Sequence, residues 1–150
     1  MKIYIIHGPN LNMLGIREPD HYGRVDYRSL CDGLSRYAEE KGIEAVIYQS
    51  NHEGDLVDKI QEAYFEGASG IVINPGAYTH TSIALLDAIK ATSLPTVEIH
   101  ISRVEEREPY RQISYVREAA IATVSGHGTD GYYEAVDILL SYLAKTKNES

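Results

Sequence analysis

"GIVINPGAYTHTSIALLDAIKATSLPTVEIHIS", residues 70–102, carries two apolar runs of strand length, 70–75 and 95–102, on either side of a helical pattern at 80–92. The runs are rich in Ile and Val without strict alternation, the pattern of strands buried on both faces, as in a parallel sheet. Strand, helix and strand in that order make a right-handed crossover unit. The same unit extends outward in both directions. Further runs lie at 2–8 (KIYIIHG), 43–49 (IEAVIYQ) and 121–126 (IATVSG), with helical patterns at 26–41, 53–67 and 130–145. Leu30, Leu34, Tyr37 and Ala38 share one stripe of the first of these helices, and Val136, Leu139, Leu140 and Leu143 one stripe of the last. Gly42 and Gly67 stand where helix C-terminal glycines belong.

The order β-α-β-α-β-α-β-(loop or short helix)-β-α predicts an α/β, doubly wound, three-layer domain. Five parallel strands point to the flavodoxin-like order 2-1-3-4-5. A chain of 150 residues suits a single domain, 1–150, with a fraying tail from about 146. Its composition is ordinary for a globular protein, 43% hydrophobic and 24% charged. Fourteen Lys and Arg against 22 Asp and Glu leave a net charge of −8, which disfavours non-specific binding to nucleic acid or anionic membranes. A small anionic substrate stays open if arginines cluster locally. Cys31 is the one cysteine, so no internal disulfide can form, and it reads as a small packed side chain. The N-terminal apolar run is too short for a signal sequence or a membrane span, so a cytoplasmic location is expected.

Ligands of open α/β sheets bind beyond the carboxyl ends of the strands. Strand one ends in Gly8-Pro9-Asn10, followed by Asn12, and strand three in Asn74-Pro75-Gly76, followed by Thr79 and His80. Strand four carries Glu98, His100 and Ser102, with Arg107 and Arg111 in the loop beyond. Strand two ends in QSNHEG. A site spanning the ends of strands one, three and four is the expectation.

Several motifs read as structure rather than chemistry. GHGTDG (126–131) matches G-x-G-x-x-G, yet the chain ends before the next strand of a dinucleotide unit, so its glycines read as a tight strand-to-helix turn. No phosphate-binding G-x-x-x-x-G-K-[ST] loop occurs. Six histidines form no H-E-x-x-H, and His80 with His100 lacks a third ligand, so no metal site is expected. His80 is expected to open the third helix, beside Thr79 and Thr81. Ile83, Leu85 and Leu86 are expected to bury that helix, leaving Asp87, two turns on, to face a neighbouring subunit.

His100 shares one side of its strand with Glu98 and Ser102, and three polar residues at alternate positions point to a site-facing edge. The loop LGIREPDHYG (14–23) sets Arg17 and Tyr22 five residues apart around Pro19, between Gly15 and Gly23. A free phenol has a pKa of about 10, so roughly one in a thousand is ionised at neutral pH. A cation within about 4–6 Å lowers it by about 1–3 units, enough to make Tyr22 a general base under a closing lid. From physics alone, a loop arginine and tyrosine are more often solvated than catalytic.

GPNLNMLGIREPDHYG (8–23), QSNHEGDLVDKI (49–60), NPGAYTHTSIALLDAI (74–89) and VEIHISRVEEREPYRQISY (97–115) resemble the type II 3-dehydroquinate dehydratases, in family order and along almost the whole chain. The closing GHGTDGYYEA is similar too. The resemblance implies dehydration of 3-dehydroquinate to 3-dehydroshikimate by anti elimination, in the shikimate pathway, without cofactor or metal. It implies that Tyr22 takes the proton next to the ketone, with Arg17 lowering its pKa. Asn74 positions a water near the enolate oxygen, Asn10 orients His100, and His100 protonates the departing hydroxyl. The backbone of Ile101 and Ser102 and the Arg111 guanidinium hold the substrate, while His80 and Asn74 bind ring hydroxyls. Asp87 reaches in from an adjacent subunit of a dodecamer of four trimers. Glu98, Arg107 and Asn12 stand behind these groups as support. Arg103 and Glu105 depart from the residues usual at their positions, which bears on affinity and interface contacts.

The competing reading is a non-enzymatic flavodoxin-like module. A phosphorylated receiver needs acidic residues where Asn10 and Asn74 stand, and a flavin carrier needs a hydroxyl-rich loop where Gly8-Pro9-Asn10-Leu11 stands.

Overall fold

Five strands form a single sheet in a computed structural model that describes residues 1–16 and 25–149. They are β1 (Lys2–His7), β2 (Glu44–Gln49), β3 (Gly70–Asn74), β4 (Thr96–His100) and β5 (Ala122–Ser125), ordered β2-β1-β3-β4-β5. All neighbouring pairs are parallel. The doubly wound, flavodoxin-like architecture is therefore the observed one. Central strands β3 and β4 are buried along their whole length, while edge strands β2 and β5 are mostly half-buried. That gradient explains the unbroken Ile/Val runs: a central strand has a helix layer over each face.

The layers are set by strand parity. Ile3, Ile5, Val72, Val97 and Ile99 face α1 (Tyr27–Glu40) and α4 (Asp130–Glu149), packing on Leu30, Leu34, Val136 and Leu139. Tyr4, Ile6, Ile71 and Ile73 face the other way, against Leu56 and Ile60 of α2 (Glu53–Phe65) and Leu85 and Ile89 of α3 (Ile83–Thr92). Each such side chain contributes about 1.5–3 kcal/mol by leaving water. Gly42 and Gly67 follow α1 and α2 with φ of +71°, the left-handed step that ends a helix and that a Cβ disfavours.

Three expectations are corrected. Helix α3 does not begin at His80: residues Gly76–His80 form a 3₁₀ turn, and Ser82 caps the helix by accepting the Leu85 N–H at 3.0 Å. The turn is held from outside, because Tyr115 N donates to Thr79 O at 3.1 Å and prevents the helix from running back. Ile83, expected in the core, is 53% exposed, because two residues before Leu85 is about 200° around the helix, on the face away from the core. Helix α4 runs past its expected end at 145 to Glu149, with no Gly or Pro to stop it and Thr146 Oγ1 donating to Leu143 O at 3.0 Å. Between β4 and β5 the chain makes three short 3₁₀ turns, Val104–Glu106, Pro109–Arg111 and Val116–Glu118.

Candidate active site

At the carboxyl edge of the sheet the exits of β1 and β3 nearly touch. Gly8 N donates to Asn74 O at 2.7 Å, and a Cβ on Gly8 would lie 2.3 Å from the Pro75 carbonyl oxygen. Only glycine lets the two backbones meet there. Beyond this junction lies a cavity of about 430 Å³. It is lined by Asn10, Asn74, His80, His100, Ile101, Ser102, Arg107 and Arg111, over an apolar wall that includes Leu11, Met13, Leu14 and Val104. Of the eight named first, all but Ile101 come from the strand-end reading, and these seven converge on one cavity.

His100 and its support come from one face of the sheet. Its Nε2 hydrogen-bonds Glu98 Oε2, and Glu98 is 0% exposed. Ser114 Oγ at 2.7 Å, Arg117 Nε at 3.1 Å and Thr123 Oγ1 at 3.0 Å also donate to that carboxylate. Burial pushes the Glu98 carboxyl up, but the His100 ring, with Ser114 and Arg117, outweighs it and holds the group at about 2. Glu98 is thus an anion that can only accept, so His100 Nε2 carries a proton and Nδ1 is left for a bound molecule. This is the geometry of an acid–base histidine oriented by a carboxylate.

Asn74 comes from the opposite face. Its Nδ2 donates to Tyr132 Oη at 2.9 Å and its Oδ1 accepts from Gly76 N at 3.1 Å, so the carboxamide is held at both ends. His80 hydrogen-bonds Ile113 O through Nδ1 at 2.7 Å; as a carbonyl only accepts, Nδ1 is the donor. Arg107 Nη1 donates to Ser102 Oγ at 3.4 Å, and Arg111 pairs with Glu108 at 2.9 Å. The glycine turn after β5 ties the site's floor together, with Gly126 N on His100 O at 3.3 Å and Gly128 N on Ile101 O at 3.0 Å.

Other expected residues make different contacts or sit elsewhere. Asn10 makes no hydrogen bond to His100; Glu98 holds that ring instead. The Asn10 backbone is left-handed, φ +69°, and its N–H donates to Asn51 Oδ1 at 3.0 Å. Gln49 Nε2 reaches Gly8 O, Asn51 Oδ1 and Asn12 Oδ1 at 3.1–3.3 Å, so Asn12 supports the loop rather than lining the cavity. Asp87 is exposed on α3 and does not line the cavity. Arg17 and Tyr22 lie outside the described residues, as does the side chain of Glu105. Tyr132, His7, Ser114, Arg117 and Thr123 were missed. Their only signal is three-dimensional, since Thr123 meets Glu98 through strand register and Tyr132 meets Asn74 across 58 residues. Among the described residues, no group of three or more His, Cys, Asp or Glu side chains could hold a metal ion.

Fold and site together define a doubly wound α/β enzyme with acid–base and anion-binding groups at the carboxyl edge of its sheet. Residues 1–140 match the family model described as Dehydroquinase class II, and the chain belongs to that family. It is 50% identical over 147 residues to the 3-dehydroquinate dehydratase of Fusobacterium nucleatum subsp. nucleatum, covering 97% of this chain and 100% of that one. It is 49% identical over 142 residues to that of Caldicellulosiruptor bescii, covering 95% and 98%. The crystal structure of the type II dehydroquinase from Butyrivibrio crossotus superposes with a TM-score of 0.90 at 51% identity, over 93% of this chain and 97% of that one.

Proposed function

We propose that the chain performs its family's reaction with Tyr22 as base and His100 as acid. The activity is that of a hydro-lyase converting 3-dehydroquinate to 3-dehydroshikimate and water. Tyr22, activated by Arg17, takes the proton beside the ketone, and the electron pair moves onto the ketone oxygen. Asn74 serves the resulting enolate through a water. The enolate then collapses, the carbon–hydroxyl bond breaks, and the hydroxyl leaves as water with a proton from His100. The amide groups of Ile101 and Ser102 and the Arg111 guanidinium hold the substrate's carboxylate and hydroxyls, and His80 with Asn74 binds ring hydroxyls. Asn10 lines the mouth beside them. A general acid and a stabilised oxyanion are what stepwise loss of an α-proton requires.

The observation that carries this reading is the Glu98–His100 pair opening onto the cavity that Asn74, His80 and Arg111 also line. Asp87, exposed on α3, is assigned to the cavity of a neighbouring copy in a homo-oligomer, a dodecamer by family resemblance. No helix among the described residues is long and apolar enough to cross a membrane, which fits the proposed cytoplasmic location in the shikimate pathway. The test is ultraviolet absorbance of the conjugated enone on adding 3-dehydroquinate to purified protein. Tyr22→Phe is expected to lose nearly all turnover while keeping its circular dichroism; normal turnover in that variant overturns the assignment of the base.

A further inference from the structure

We infer that Tyr132 and His7 are positioning residues for the reaction: together with the Gly76 N–H they hold the Asn74 carboxamide in one orientation, so that Asn74 offers the cavity an N–H donor. The inference rests on the proposed role of Asn74 in serving the enolate oxygen. It follows from counting protons along one chain of hydrogen bonds. Gly76 N–H can only donate, and it lies 3.1 Å from Asn74 Oδ1. The oxygen therefore occupies that end, and Nδ2 occupies the other, 2.9 Å from Tyr132 Oη. Tyr132 must accept there, so its own proton needs a different acceptor. Among the described residues, its other hydrogen-bond partner is His7 Nδ1, at 3.1 Å.

His7 then accepts at Nδ1 and carries its proton on Nε2. Two further observations agree. His7 is 0% exposed and, among the described residues, Nε2 has no hydrogen-bond partner that would compete for the proton, its ring lying T-shaped to Tyr27 with centroids 5.2 Å apart. Burial also holds the imidazole down at about 4, so it stays a neutral acceptor at neutral pH. Every donor in the series Gly76, Asn74, Tyr132, His7 points the same way, and each bond polarises the next. One Nδ2 hydrogen is left for the cavity. A flipped amide would present its oxygen instead, and an acceptor repels a developing enolate and turns a bridging water the wrong way.

A tyrosine buried only for packing would need one partner for its hydroxyl; Tyr132 uses one bond to receive from Asn74 and a second to discharge its proton. Its phenyl ring packs in the core around Leu30 and Val97, so Tyr132→Phe removes the relay and keeps the packing.

The experiment compares kcat and KM for wild type, Tyr132→Phe, His7→Gln, His7→Leu and Asn74→Ala, with ¹⁵N NMR of the His7 imidazole at neutral pH. Tyr132→Phe is expected to lower kcat by about tenfold or more with KM changed far less, the mark of misplaced catalytic geometry. His7→Gln, whose side-chain oxygen can accept, is expected to retain more activity than His7→Leu. The NMR spectrum should place the His7 proton on Nε2. Wild-type kcat in folded Tyr132→Phe, or a proton on Nδ1, overturns the relay. Full activity in Asn74→Ala overturns the proposed role of Asn74 itself, and the relay with it. Loss in Asn74→Ala with none in Tyr132→Phe overturns the relay alone. Should Tyr132→Phe fail to fold, the His7 pair and the tautomer decide.

Discussion

A carboxylate without exposed surface is costly unless its charge is met, and Glu98 is met by His100, Ser114, Arg117 and Thr123 together. Its titration therefore belongs to the fold as well as to the chemistry. The unfolded carboxyl titrates near 4.5 and the folded one at about 2, so the stabilisation is complete above 4.5 and is lost as pH falls through about 2. The difference corresponds to about 3 kcal/mol. His7 adds a second window of the same sign: unfolded it titrates at 6.5 and folded at about 4, so stability falls as pH drops between those values. Acid unfolding is thus expected in two overlapping steps. Urea titrations across pH should show the upper step flattened in His7→Gln and the lower one in Glu98→Gln. Glu98→Gln should also lose activity by about a hundredfold or more, because the carboxamide no longer dictates which nitrogen of His100 bears the proton. Unchanged turnover in that variant would remove Glu98 from the site. The strand reading found Glu98 and His100 as neighbours on one side of β4. It could not find Ser114 or Arg117, whose approach depends on how the loop after β4 folds back.

At the scale of elements, the 3₁₀ turn before α3 shows how a site residue is placed by its surroundings. Thr79, Thr81 and Ser82 are all chemically fit to cap a helix. Ser82 does so, because Tyr115 N–H and the Ile113 carbonyl hold Thr79 and His80 in the turn. Local sequence leaves that choice open; a loop over thirty residues away makes it. Ser82→Ala is expected to cost about 1 kcal/mol, read as a lower midpoint in urea with an unchanged slope. A neutral result would mean that the turn, not the cap, starts α3. Elsewhere elements were well signalled: Gly42 and Gly67 end α1 and α2, and GHGTDG turns β5 into α4. Helix α4 outran its expected end because a polar, lysine-rich segment without Gly or Pro is a good helix former even where no core requires it.

For the whole molecule, the sheet's exposed flanks bear on assembly. Phe65 is 80% exposed and Ile83 53%, with Tyr64, Tyr110 and Ile113 also outside the core. The proposed dodecamer would cover such side chains, and light scattering is then expected to give a mass near twelve times 16.7 kDa. Asp87→Ala should then raise KM if Asp87 completes a neighbour's cavity; an active monomer would refute both. What the sequence determined by itself is the layering: strand runs buried on both faces, helices with one apolar stripe, and polar residues at strand ends are all local patterns. With right-handed crossovers they admit few arrangements. The tertiary structure alone decided which polar groups meet. The Asn74 amide is oriented by a tyrosine on α4 and a histidine on β1, and His100 by a carboxylate whose own partners come from the loop after β4 and from β5. Hydrogen bonds require donors and acceptors within about 3 Å at defined angles, and no spacing along the chain records a distance across it.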